Sequence, residues 1–260
     1  MSRTLHAEQC IASTQRKSIA ARRSTGNAPG KVWIPAIPRD SLSSMRFILP
    51  CAFIAGCFGI GRAQAPTAAP PQFTLAGDRF KPLTWDQMTP AQKTMIEHLL
   101  SGPRRGVGGP FNILLRSPAM GDLAQQFGAS VRFSSLPPRL NEFAIIITAR
   151  FWTVQYEWSA HRRSAAQAGL SEDIIQAVAA GTRPAKMAPD EAAVYNFCTE
   201  VLKTHQVSDG TFQTAVKALG EKGVVDVMGA IGWYQFVAMM LNVDRYPLGE
   251  GAQPELKPLP

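Results

Sequence analysis

Residues 156–169, YEWSAHRRSAAQAG, set a carboxylate, Glu157, four positions before an imidazole, His161. On a helix, positions i and i+4 share a face, so Glu157 is expected to fix the tautomer and orientation of the His161 ring. Imidazole titrates near neutrality and can both accept and return a proton. That contributes on the order of 10²–10⁴ to a rate where geometry permits. A second carboxylate, Glu142, lies nineteen positions before His161 and is the candidate partner acid or base. Glu142, Glu157 and His161 are thus the candidate catalytic residues, and the chemistry they suit is proton transfer. A plainer reading of the Glu157/His161 pair is an exposed contact worth ~0.2–0.5 kcal/mol of helix stability.

Other side chains around this group can bind rather than react. Arg139 and Arg150 are placed to meet a substrate carboxylate, whereas Arg162 and Arg163 read as a solvated helix face. Tyr156 and Trp158 flank Glu157 as candidate substrate contacts, although aromatics in such positions more often fill a core or an interface. Asn112, in the segment GPFNILLR, joins the same candidate substrate-binding set. His98 and His205 have no partners at ligand spacing, so no metal site is predicted. No cofactor is expected either. The glycines of SGPRRGVGGPFNILLR lack the spacing of a phosphate cradle and follow no strand, which argues against nucleotide binding. That loop is nevertheless long enough to be functional.

Certain elements must position these groups. One straight helix would hold Glu142 and His161 roughly 28 Å apart, at 1.5 Å per residue. The chain must therefore turn back between them, and residues 150–153 are the expected place, with Thr153 as the cap of the second helix. Thr89-Pro90 and Ser117-Pro118 each read as an N-cap followed by proline in the first turn, opening helices to about Leu100 and Phe133. Further helices are expected from about Pro137, from Ser171 to near Gly181, from Pro189 to about His205, and over 209–219. A last one, from about Glu221 to Leu241, is apolar around most of its circumference and belongs in a core or an oligomer interface. No window alternates at period two, so the expected class is all-α: a single helical domain over residues 84–248.

Charge and leader set the context. The chain has 260 residues and a formal charge of +8. Residues 1–65 hold nine Lys/Arg against two acidic groups, which leaves the remainder nearly neutral and gives no basic surface for nucleic acid. Residues 45–65, MRFILPCAFIAGCFGIGRAQA, have the basic start, short apolar run and small-x-small end of a secretory signal peptide. On this reading Met45 is the start, 1–44 an over-extended or disordered leader, and the protein is exported, periplasmic or secreted, with no transmembrane segment in the mature chain. An Arg- and Ser-rich transit peptide and a lipobox ending at Cys57 are the alternatives. Residues 66–83 are Pro- and Ala-rich and read as a flexible arm, and 249–260 as a disordered tail. Cys10, Cys51 and Cys57 fall in the leader, which leaves Cys198, at helical spacing among apolar residues, as a buried inert thiol.

Residues 139–181, RLNEFAIIITARFWTVQYEWSAHRRSAAQAGLSEDIIQAVAAG, resemble the core motif of the carboxymuconolactone decarboxylase family, which includes the alkylhydroperoxidase-D-like (AhpD-like) proteins. The resemblance runs from the GPFNILLRSP segment to about Leu241 and rests on Glu142, Glu157-x-x-x-His161 and Ala168-Gly169-Leu170 together. It implies an AhpD-like fold of about six to eight helices and self-association, as trimers or hexamers. In the peroxidase branch a glutamate, a C-x-x-C pair and a histidine relay protons to a reactive thiol. Glu142 and His161 match the relay positions, but the cysteine positions hold Val154 and Glu157. A peroxidase of that type needs a thiolate and a resolving thiol. The decarboxylase branch uses Glu-x-x-x-His without cysteines and removes a carboxylate from a lactone by shifting protons, with no metal or organic cofactor. The resemblance therefore implies acid–base chemistry on a small organic acid or lactone. Peroxidase-type activity and a non-catalytic exported binding protein remain the alternatives.

Overall fold

Residues 143–147 are continuously apolar, and they become the middle of the molecule. In the computed structural model, which describes residues 71–258, ten residues of the helix Pro138–Phe151 are buried, Leu140 and Phe143 to Ile147 among them. All regular structure among the described residues is helical: a 3₁₀ turn at Trp85–Gln87, then α1 (Pro90–Ser101), α2 (Phe111–Leu114), α3 (Pro118–Arg132), α4 (Pro138–Phe151), α5 (Gln155–Gln167), α6 (Glu172–Ala179), α7 (Pro189–Thr204) and α8 (Asp209–Asp244). The central α4 packs against α5, α7 and α8, while α1 and α3 form a second pair that reaches the core through α8. The leader, the signal-peptide segment 45–65 and Cys10, Cys51 and Cys57 lie outside the described residues.

Local chemistry explains most of the helix starts. Thr89 accepts the Gln92 N–H, and the Gln92 side chain accepts the Thr89 N–H, a reciprocal cap ahead of Pro90. Ser171 and Ser208 cap α6 and α8 through their hydroxyls. Ser117 precedes Pro118 as expected but makes no side-chain cap. Within α8, Gly220 leaves the helical region at φ 71°, so the separate segments expected before and after it run on across a kink.

The turn between α4 and α5 falls where the spacing required it, but Thr153 is not an N-cap. It sits at φ 51°, with its N–H on Arg150 O (3.0 Å) and the Val154 N–H on Ala149 O (3.0 Å). That is the hydrogen-bond pattern of a left-handed C-terminal cap on α4, usually given to glycine. A β-branched residue is costly there and persists only when its surroundings fix it.

Both terminal segments depart from the expected flexible arm and disordered tail. Residues 71–83 are extended yet fastened: Arg79 and Phe80 N–H groups meet the Asp244 carbonyl and Oδ1 (3.2 and 2.7 Å), and Arg79 Nη1 meets Val243 O (2.9 Å). These contacts satisfy groups at the C-terminal end of α8 that have no partner within the helix. At the other terminus, Leu256 is buried and Gln155 brackets its backbone, accepting its N–H (3.0 Å) and donating to its carbonyl (2.7 Å). An apolar anchor with a bidentate amide is enough to order the tail.

Candidate functional site

The hairpin of α4 and α5 closes the gap that nineteen residues would open. His161 Nδ1 lies 2.7 Å from Glu142 Oε2, both side chains nearly enclosed. A carboxylate at Glu142 takes the Nδ1–H and so leaves Nε2 as the atom free to gain and return a proton. The ring is also held edge-on by Tyr234 of α8, centroids 4.8 Å apart. One face of the imidazole is thus fixed by α4 and another by the core helix.

Glu157 does not do what its spacing suggested. The bond expected from it to His161 is made by Glu142 instead. Both Glu157 oxygens are buried and without a hydrogen-bond partner. Desolvation raises its pKa well above the usual carboxylate value, so burial favours the neutral acid. The reason for the exchange is directional: a side chain on a helix shares a face with i+4 but is aimed by its own packing, and α4 supplies a carboxylate across the hairpin.

The candidate substrate-binding residues are engaged elsewhere. Arg139 pairs with Asp190 (2.8 Å) and Glu191 at the start of α7. Arg150 donates to the Lys257 carbonyl (2.7 Å) and lines a small cleft of about 70 Å³ with Ile147, Val178, Tyr195, Thr199 and Lys203, which shares no residue with the Glu142–His161 pair. Trp158 is buried and donates Nε1–H to Glu255 (3.1 Å). Tyr156 packs on Tyr246 at 4.5 Å. Asn112 is fully buried, donating to Phe80 O (2.6 Å) and accepting from Arg116 (2.9 Å). Each has a partner within the protein, so none of the five joins the dyad. Cys198 is fully buried in α7, and burial pushes its thiol up, away from thiolate chemistry.

Sequence reasoning missed Arg104. It lies in the Gly/Pro-rich loop between α1 and α2, and its guanidinium stands over the rings of Phe111 (5.6 Å) and Trp233 (5.9 Å). Its charge acts on Tyr234, the residue against His161. The length of that loop was the one signal for it. Among the described residues, no three His, Cys, Asp or Glu side chains gather as a metal site would require.

Comparisons with known proteins add little chemistry. No protein-family model matches the chain. No curated protein matches it. A solved structure of an Agrobacterium tumefaciens protein of unknown function, named for an AhpD role in antioxidant defence, is similar at 19% identity and a TM-score of 0.46, covering 54% of this chain and 98% of that one. No residue role passes from it to this chain.

Proposed function

We propose that the protein is a cofactor-independent acid–base enzyme that decarboxylates or isomerises a small organic acid or lactone. The reading is carried by one observation: Glu142 and His161, nineteen residues apart, meet at 2.7 Å with Nε2 left free. Loss of CO₂ from a carboxylated lactone leaves the bonding electron pair on the ring as an enolate, and a proton must replace the carboxylate. As an imidazolium supported by Glu142, His161 gives that proton from Nε2 and regains one from solvent after product leaves. Glu157, kept protonated by burial, is the donor for the enolate oxygen. The resemblance to carboxymuconolactone decarboxylases supports the same chemistry.

Peroxidase chemistry is the weaker reading. It needs a thiolate, and the cysteine among the described residues, Cys198, is enclosed in the core with its thiol raised. A test follows CO₂ release from a panel of carboxylated lactones and small unsaturated acids, with wild type and His161→Ala side by side. Turnover by wild type and its loss in the variant are expected. Absence of turnover across the panel, or equal rates for both proteins, would overturn the proposal.

A further inference from the structure

We infer that Arg104, with Arg132 behind it, is the anion-binding element of this site and holds a carboxylate of the substrate. The inference rests on the acid–base reading for its location beside the dyad, but its own observations are independent of any turnover. Two of the guanidinium nitrogens, Nε and Nη2, are buried and have no hydrogen-bond partner among the described residues. Among the described residues no carboxylate forms an ion pair with Arg104. Arg139 and Arg162, by contrast, both have acidic partners.

Arg132, exposed at the last turn of α3, adds a like charge that acts on Arg104 and on Tyr234. Two cations therefore act on one phenol, and among the described residues neither has a carboxylate partner. A buried donor left unpaired is costly, and more so when it is charged. Such an arrangement is common where a ligand supplies the missing acceptor.

The seat for Arg104 is specific. A Cβ at residue 128 would lie 2.5 Å from the Trp233 ring and 2.8 Å from Arg104 Nη2, so only glycine lets the tryptophan and the guanidinium approach α3 this closely. The loop that carries Arg104 is pinned by the Gly109 N–H on the Tyr246 hydroxyl (3.1 Å) and lies over Tyr156, the neighbour of Glu157. From Arg104 the order of contact is Tyr234, then His161, then Glu142. A carboxylate on Arg104 would thus lie one side chain, Tyr234, away from the imidazole. The aromatic walls of Phe111 and Trp233 suit a small flat acid better than an extended polar one.

The test is equilibrium binding by calorimetry to the full chain. Its probes are a saturated carboxylated butyrolactone and its neutral methyl ester. Wild type should bind the acid and discriminate against the ester. Arg104→Gln should weaken the acid roughly tenfold to a hundredfold and leave the ester unchanged. Arg104→Lys should recover part of the loss. Arg132→Gln, on an exposed residue that cannot unfold the protein, should weaken the acid by a smaller factor that shrinks with added salt. Equal binding of acid and ester, no binding of the acid, or unchanged affinity in both Gln variants would overturn the inference. The two readings fail separately. Acid bound through Arg104 without CO₂ release from any substrate sinks the acid–base reading alone. CO₂ release with affinity and KM unchanged in Arg104→Gln sinks the anion site alone.

Discussion

The same two helices, α4 and α5, present two regions built on opposite terms. Near their turn, Arg150, Gln155 and Trp158 each find a partner in the C-terminal tail, at Lys257, Leu256 and Glu255. Interleaved with them on α5, Glu157 has no partner among the described residues for either oxygen; one turn on, His161 keeps Nε2 open, and in the loop between α1 and α2 Arg104 carries two idle donors. The first region closes most of its hydrogen bonds within the chain, with Arg150 Nε and Trp152 Nε1 the exceptions. The second leaves buried acceptors and donors of both signs unmatched. Unmatched polar groups are costly in a core and useful in a reaction site, where the ligand completes them. The difference marks which side chains hold the structure and which are left for chemistry.

The largest expected effect falls on the closed region. Leu256→Ala should cost about 2–5 kcal/mol by removing a buried anchor, read as a shift in the urea midpoint, with turnover retained. Lost turnover at unchanged stability would erase the distinction between the two regions.

Next comes Glu157. Its folded-state pKa is raised, so the native protein binds its proton more tightly than the unfolded chain. Stability from this group is present below the unfolded value near 4.5 and falls as pH rises above it towards the folded value. Glu157→Gln should remove that decline and lower turnover together. Thermal melts from pH 4 to 8 that decline equally in both proteins would contradict the burial argument.

Cys198→Ser should cost about 1–3 kcal/mol, because it buries a hydroxyl in the core, and leave turnover unchanged. Loss of a peroxide-consuming activity in this variant would move the chemistry to α7.

The smallest effect on stability concerns the outer faces of α3 and α8. Leu123, Phe127, Val225 and Met228 are all exposed there. We propose that a second copy covers them. Light scattering should give a trimer or hexamer for wild type and a smaller species for Leu123→Glu/Met228→Glu, with ΔΔG of the protomer within about 0.5 kcal/mol. A wild-type monomer would contradict it. Export is likewise a proposal: the protein recovered outside the cytoplasm should begin near Pro66.

The all-α class was legible because periods and caps are local. Thr89-Pro90 and Ser171 announce helices by their own side chains, and the reach of a helix required a turn between Glu142 and His161. What was not legible depends on long-range partners. Nothing near Glu157 says that a carboxylate from α4 will take its place on His161. Nothing in 249–258 reveals that Gln155 will bracket Leu256, one hundred and one positions away. Arg139 and Arg150 looked like ligand-binding cations because their partners, Asp190, Glu191 and Lys257, are remote in sequence. Arg104 was hidden for the converse reason, since the two nitrogens it leaves unpaired are visible only in three dimensions.

The central claim is that Glu142 and His161 act as one proton-transfer unit. A double-mutant cycle on kcat, using the carboxylated lactone turned over fastest by wild type, tests it directly. Glu142→Gln and His161→Ala should each lower kcat by on the order of 10²–10⁴, and the double variant should lose little more than His161→Ala alone. Multiplicative losses in the double variant, or a His161→Ala enzyme as fast as wild type, would contradict the account.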